Sequence, residues 1–295
     1  MTVYDLASDP KVSPIAPVIG YWVMSVCFMS LEKLNAFPQY RTQPPQDVDK
    51  KNLVTKSQVF VGVIGMQAVQ IIGGIFLAQF EEPPGRYVQP STLSALDEGI
   101  VSFVPTIPRT LSVWLAFVLF YGSRQFIAFA ISDCWHYFVH RFEHVNKWVY
   151  KNVHSQHHRL YVPYAFGALY NHPAESVFND ILGGLLTAWL VGLTNAEKTV
   201  FFTLATLKTV DDHCGYQLPW DIISWIGRAT GNDAYYHAVH HEPKGIKAGK
   251  SFLTLWSSAN DVWHLQSNYA AVFTVWDDLM GTRKRHQDLK HEHAE

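Results

Sequence analysis

Charge is scarce in this sequence. Asp, Glu, Lys and Arg make up 16% of the 295 residues, against about a quarter in an ordinary soluble domain. The formal net charge of -2 leaves no basic excess, so the chain lacks the electrostatic footprint of a nucleic-acid binder. Cysteine is nearly absent as well. Cys27, Cys134 and Cys214 stand far apart with no C-x-x-C pair, which argues against a disulfide framework and against a thiolate zinc site. The first residues, MTVYDLASDPKVSP, lack a basic stretch leading into a short apolar core and a small-residue cleavage site, so no cleaved signal peptide is expected. No internal repeat of fixed period is evident.

What the sequence does have is long apolar runs. Hydrophobic residues make up 48% of the chain, with 10 Trp, 14 Tyr and 18 Phe. Ile15–Leu31 is uncharged and about one bilayer long. Residues Val59–Phe80 are also uncharged and form the strongest candidate span, and Leu111–Ile131 is apolar except for Arg124. A fourth apolar region, Ile181–Val210, is interrupted by Asn195, Glu197 and Lys198. It reads as a helical hairpin with a polar tip, each half short for a simple span, either re-entrant or packed on the others. The loop from Glu32 to Ser57 carries Lys33, Arg41, Lys50, Lys51 and Lys56, whereas the loop from Glu81 to Arg109 carries only Arg86 and Arg109 beside four acidic residues. The excess of Lys and Arg places the first loop in the cytosol and the second across the membrane. Pro83-Pro84-Gly85 and Gln89-Pro90-Ser91 mark that second loop as rich in turns.

Histidine is concentrated where the third apolar run ends. Eleven of the 15 histidines lie between His136 and His241. His140 and His144 are four apart; His154, His157 and His158 are spaced i, i+3, i+4; and His237, His240 and His241 repeat that spacing. On a helix each set falls on one face and presents two or three nitrogens to one metal. Neutral imidazole suits iron, zinc or copper. Burying so many imidazoles beside a membrane without a partner costs desolvation at each, and a metal centre offsets that cost. The number of histidines exceeds the roughly four ligands of a structural zinc site, so two metals are more natural than one.

The boxes H-R-x-x-H at 140–144, H-x-x-H-H at 154–158 and H-x-x-H-H at 237–241, set behind apolar runs, resemble the fatty acid hydroxylase/sterol desaturase superfamily of membrane di-iron oxygenases. The text between them is narrower. RLYVPYAFGALYNHPAES (159–176) and TLKTVDDHCGYQLPWD (206–221) resemble the fungal sphinganine C4-hydroxylases, which make phytosphingosine-type bases. The resemblance runs from about Tyr21 to Gly281 and is strongest from Asp133 to Lys247. It implies an all-α integral membrane protein of about four transmembrane or re-entrant helical segments, with a cytosolic helical His-rich domain holding a dimetal centre. It also implies two iron ions, O2 as oxidant, electrons from NAD(P)H through cytochrome b5 and its reductase, and the endoplasmic reticulum membrane. By position, His140, His144, His154, His157, His158, His237, His240 and His241 match the boxes, and His213 in DDHCGY matches a further family histidine. His172 in NHPAE is either a ligand or a hydrogen-bonding neighbour of one; His136 is read as structural. Asp211, Asp212 and Glu175 are candidates to orient imidazole N–H groups, and Tyr161, Tyr164 and Tyr170 to line a lipid site. Zinc outcompetes ferrous iron for such ligands, so an isolated sample can carry zinc.

The expected organisation is a membrane region over 1–131 with about three spans, a His-box region over 132–285 that includes the hairpin at 181–210, and a polar tail over 286–295. The C-terminal part departs from the family pattern. Gly245-Ile246-Lys247 and Phe273–Asp277 (FTVWD) are further apart than expected, by about the length of GKSFLTLWSSANDVWHLQ, residues 249–266. Its ends are compatible with a splice donor in the Gly-Lys-Ser codons and an acceptor after Leu-Gln. The stretch is therefore either a translated intron or a genuine insertion lying on the membrane surface. His264, His286, His291 and His293 are left out of the ligand set. Three readings follow: acting on C4 of sphinganine or dihydroceramide; acting on sterols or fatty acyl chains within the same superfamily; or serving as a metal or haem membrane protein without oxygenase activity.

Overall fold

A computed structural model describes residues 7–79, 90–242 and 267–284. The stretch 249–266, the Pro83-Pro84-Gly85 turn and the four excluded histidines lie outside these residues. Helices dominate: α1 (Ala16–Lys33), α2 (Pro45–Lys51), α3 (Lys56–Leu77), α4 (Pro90–Phe103), α5 (Arg109–Val145), α6 (Lys147–Asn152), α7 (Gly183–Val191), α8 (Asn195–His213), α9 (Ile222–Thr230), α10 (Ala234–His241) and α11 (Val275–Met280). Among the described residues the only extended pairing is a bridge between Arg41 and Tyr216.

Two of the helices in the apolar runs carry clear start signals. Thr55 caps α3 through a reciprocal pair with Gln58, and Thr194 caps α8 in the same way with Glu197. On α1 the buried positions Pro17, Tyr21, Ser25 and Phe28 follow helical periodicity, while Ile19, Val23 and Val26 on the opposite side are more than half exposed. On α3 and α5, Val61, Ile72, Phe76, Trp114, Val118 and Phe126 are likewise left uncovered. So much exposed apolar surface requires a partner phase. Both α3 and α5 are long and apolar enough to cross a membrane.

The 37-residue α5 extends about 55 Å, whereas the hydrocarbon layer needs about 30 Å. Its C-terminal third therefore carries His140 and His144 beyond the apolar stretch, and the expected boundary at 131/132 falls inside this one helix. The hairpin at 181–210 takes shape as α7 and α8. Arg124 of α5 donates to both carboxylate oxygens of Glu197, at 2.5 and 3.1 Å, and to the carbonyl of Gly192 at 2.7 Å. This bidentate pair ties the polar hairpin tip to α5 and satisfies a cation in an otherwise apolar run.

One expectation changes. The segment between the second and third apolar runs is not all turns: α4 begins with Pro90 at its first position, where a missing N–H costs nothing. Asp97 of α4 pairs with Arg109 and accepts from the Ser112 hydroxyl, which fixes α4 against the start of α5.

Below the long helices, the connecting segments gather into one cap. The Asn52 side chain holds both the N–H and the C=O of Val162. The carboxylate of Asp133 receives the N–H groups of Ala271, Val272 and Phe273 at 2.7 to 3.3 Å. Asp277 receives the Tyr269 and Ala270 N–H groups and the hydroxyls of Thr282 and Tyr236. Residues 267–284 are thereby pinned against α5 and α10, next to the histidines.

Candidate metal centre

Ten histidines were picked out as ligand candidates, and nine of them converge. His140, His144, His154, His158 and His240 form one group, and His157, His213, His237 and His241 a second, with the candidate ligand atoms of each group within 4.8 Å of one another. The first box, His140 and His144, serves the first group alone, as one face for one metal, whereas the second and third boxes each contribute to both groups, which corrects that expectation for them. The second box is a 3-10 helix, His154–Arg159, with about three residues per turn. His154 and His158 face the first group and His157 the second, the same division that the third box makes on an α-helix. On α10, His237 and His241 are one α-turn apart and share the second group, while His240 turns to the first. The two groups adjoin: the His158 and His241 ring centroids are 4.9 Å apart.

The outer nitrogens fix the tautomers. His140 Nδ1 meets the Tyr269 carbonyl at 3.0 Å, His240 Nδ1 the Ser267 carbonyl at 2.7 Å, and His213 Nδ1 the Thr209 carbonyl at 2.8 Å. A carbonyl only accepts, so each of these Nδ1 atoms bears the proton and each Nε2 presents a lone pair. His154 Nδ1 likewise faces the Glu175 carboxylate at 3.0 Å. The inner Nε2 atoms then face one another: His154 and His144 at 2.7 Å, His158 and His154 at 3.0 Å, His237 and His213 at 3.0 Å, His241 and His237 at 3.1 Å. Where both facing nitrogens carry lone pairs, such contacts repel unless a cation lies between them. The donor set therefore fits two metal ions that accept imidazole nitrogen.

Electrostatics agrees. His154, His157, His158, His237, His240 and His241 are all held well below the usual histidine pKa, by burial first and then by the neighbouring imidazoles. The metal-free chain keeps them neutral, in the form that binds metal.

Of the carboxylates expected beside the histidines, Glu175 is placed against one: its Oε1 lies 3.0 Å from His154 Nδ1. Sequence reasoning missed its companion, Glu143, whose carboxylate lies 3.6 Å from the same His154 Nδ1. The signal was its position three residues after His140 on one helix face. The carbonyls of Ser267 and Tyr269 left no side-chain signal to find. The other expected neighbours lie elsewhere. Asp212 forms an ion pair with Lys208, and Asp211 is fully buried on α8. His172 is in neither group; its Nδ1 accepts from the Ala174 N–H at the start of a short turn. Tyr164 is buried against Phe166, and Tyr170 lies against Gly62 of α3. His136 stands one turn before His140, ring centroids 5.2 Å apart, outside both groups. It lines a cavity of about 440 Å3 that extends between α3, α5 and α8, with Met66, Gly73, Leu77 and Phe201 along its apolar part. Tyr161, Tyr164 and Tyr170 do not line that cavity.

Residues 125–282 match the family model described as Fatty acid hydroxylase. The chain belongs to the fatty acid hydroxylase family. It is 36% identical to the sphingolipid C4-hydroxylase of Saccharomyces cerevisiae, over 85% of this chain and 71% of that protein. The sphingolipid C4-hydroxylase of Schizosaccharomyces pombe is 37% identical over 92% of this chain and 87% of its own length. Sphinganine C4-monooxygenase 1 of Arabidopsis thaliana is 38% identical over 93% and 88%. No solved structure matches the chain. A family of hydroxylases accounts for an oxidoreductase site built from histidine and seated at the end of apolar helices.

Proposed function

We propose that this fatty acid hydroxylase family member is a membrane di-iron monooxygenase that hydroxylates C4 of sphinganine or its ceramide form. The observation that carries the reading is the pair of histidine groups with inward-facing Nε2 atoms, on a chain most of whose length is similar to sphingolipid C4-hydroxylases. The first group would hold one iron and the second the other. Bound there, iron supplies the oxidising capacity that cleaves an unactivated C–H bond, using O2 and electrons that cytochrome b5 and its NAD(P)H reductase deliver.

The chain's own residues do the rest. Glu175, together with the carbonyls of Ser267, Tyr269 and Thr209, holds the Nδ1 protons outward and so sets the direction of each lone pair. The cavity beside His136 takes the alkyl chain. The residues of α3 that line it, from Met66 to Leu77, span about 17 Å of helix, enough to hold an extended lipid tail away from water. Exclusion of water protects a reactive centre from side reactions. The reading also places the chain in the endoplasmic reticulum membrane with its histidine cap toward the cytosol.

Long-chain-base profiling by mass spectrometry tests this in a yeast that lacks its own sphinganine C4-hydroxylase. The full chain and a version without residues 249–266 are expressed in parallel. Phytosphingosine from either supports the activity; product from the shortened chain alone also identifies the stretch as a translated intron. Stable membrane protein without product from either version refutes C4 hydroxylation and turns attention to sterol and fatty acyl substrates.

A further inference from the structure

The cavity is not apolar throughout. Where it approaches His136 it is bordered by Gln67, Asp133, Ser176, Asn179 and Asp180. Ser176, Asn179 and Asp180 lie on a single π-helical stretch, Ser176–Leu182. π-Turns are rare and recur at functional sites, because the extra residue per turn re-aims side chains. Three buried polar atoms on residues that border the cavity are unsatisfied: Gln67 Nε2, Asp133 Oδ2 and Asn179 Oδ1 form no hydrogen bond. Their side chains belong to residues only 3%, 1% and 6% exposed. Buried polar atoms without partners are costly, and three around one cavity point to a ligand that supplies the missing bonds.

The charges there are unequal. Asp133 already receives three backbone N–H groups on Oδ1. Lys208, which also borders the cavity, is committed to Asp212 and to the Asn232 carbonyl. Lys198 borders it too, but sits in the first turn of α8, about 22 Å along the helix from His213. Asp180 is different. It has accessible surface, yet it lies deep enough in the protein for burial to push its carboxyl up to about 7. That combination belongs to a side chain facing an internal cavity. Its partners are the Ser176 and Asn171 side chains, both neutral, and no ion pair to it forms among the described residues. A carboxylate that faces a cavity walled by protein, with no cation paired to it, is stabilised by whatever cation enters beside it.

We propose that Asp180 is the counter-ion for the substrate's amino group, so that this chain selects a free long-chain base, carrying an ammonium, over an N-acylated one. Gln67 and Asn179 then take the hydroxyls that flank the amine. The inference rests on the sphingoid reading above and deepens it. C4 is two carbons from the amine-bearing carbon, so an amine held at the polar end sets C4 beside the metal groups while the tail follows α3. Asp180 is a positioning and specificity residue; it does not touch the metals.

Binding tests it without turnover. The full chain, metal-loaded and in detergent micelles, is titrated with sphinganine and with N-acetylsphinganine, and the shift in its thermal midpoint gives each affinity. Loss of one charge-assisted contact in a buried site is expected to weaken binding at least about tenfold. The wild type should therefore prefer the free base by about that factor, Asp180→Asn should erase the preference while leaving N-acetylsphinganine binding unchanged, and Asp180→Glu should keep part of it. Equal affinities in the wild type overturn the proposal, as does a preference that survives in Asp180→Asn. If Asp180→Asn does not accumulate, the wild-type comparison still decides. Product formation is read separately. Amine preference through Asp180 without C4 hydroxylation removes the proposed activity alone, and hydroxylation without amine preference removes Asp180's role alone.

Discussion

His157 and His158 are neighbours in the chain yet belong to different histidine groups, so single substitutions should separate the two metals. His237→Ala, in the second group, should lower bound iron by one ion per chain and leave the first group loaded. His144→Ala should do the converse. Metal analysis of purified protein with Mössbauer spectra checks this; loss of both ions from either variant would show that the groups load only together. Acid should also act at this scale. Burial holds His213 at about 4, down from the free value of 6.5, and lowers its neighbours too. Below about pH 6.5 the unfolded chain takes up protons that the folded chain refuses. Stability of the metal-free protein is therefore complete above this window and is lost as pH falls from 6.5 toward 4. An isolated histidine of this kind contributes a loss of about 1.4 kcal/mol per pH unit there. The thermal midpoint of chelator-treated protein, followed from about pH 7 to about pH 5, should drop continuously. A flat profile would contradict buried neutral imidazoles.

Two adjacent glycines decide how one element seats on its neighbours. A Cβ at Gly183 would meet the Trp135 indole of α5, and one at Gly184 would meet the Phe202 ring of α8. Small residues at such crossings let helices approach closely. Gly184→Val should therefore push α7 off α8 and destabilise by about 1–3 kcal/mol, visible as a lower thermal midpoint in detergent. Gly73→Ala on α3, where nothing lies within 4 Å, should be neutral or stabilising by about 0.5–1 kcal/mol. If both behave alike, close approach is not what fixes α7. The same elements show what the sequence could and could not reveal. The long helices were legible because α3 and α5 are continuous apolar runs, and the histidines because their spacings repeat. The division of the second and third boxes between two groups was not legible. Spacings of i, i+3 and i+4 put all three histidines on one helix face, and which group each one joins depends on how separate elements pack around them. Glu143 was hidden for a related reason, since a lone carboxylate between two histidines carries no repeat. The helix α4 was hidden because Pro90 reads equally well as a turn and as a helix start.

At the scale of the molecule, one helix joins the two faces. α5 begins at Arg109, beside Asp97 of α4, and ends after His144, so a bilayer crossed by α5 would separate these two points. The basic loop containing Lys50 and Lys51 is on the histidine side, because Asn52 is bonded to Val162 and Arg41 bridges Tyr216. The excess of positive charge on that loop argues for the cytosol, where soluble electron donors could reach the metals. Two cysteine substitutions make this measurable. Lys50 and Thr106 are both exposed, and neither borders the cavity. In sealed microsomes a membrane-impermeant maleimide should label Lys50→Cys beyond the background of the parent chain. It should reach Thr106→Cys only after the membrane is permeabilised. The reverse pattern would put the histidine cap in the lumen, away from cytosolic electron donors, and would remove the cytochrome b5 route from the proposed activity. Equal labelling of both sites in sealed vesicles would show that α5 does not cross the bilayer, and its exposed apolar face would then require a protein partner instead of lipid.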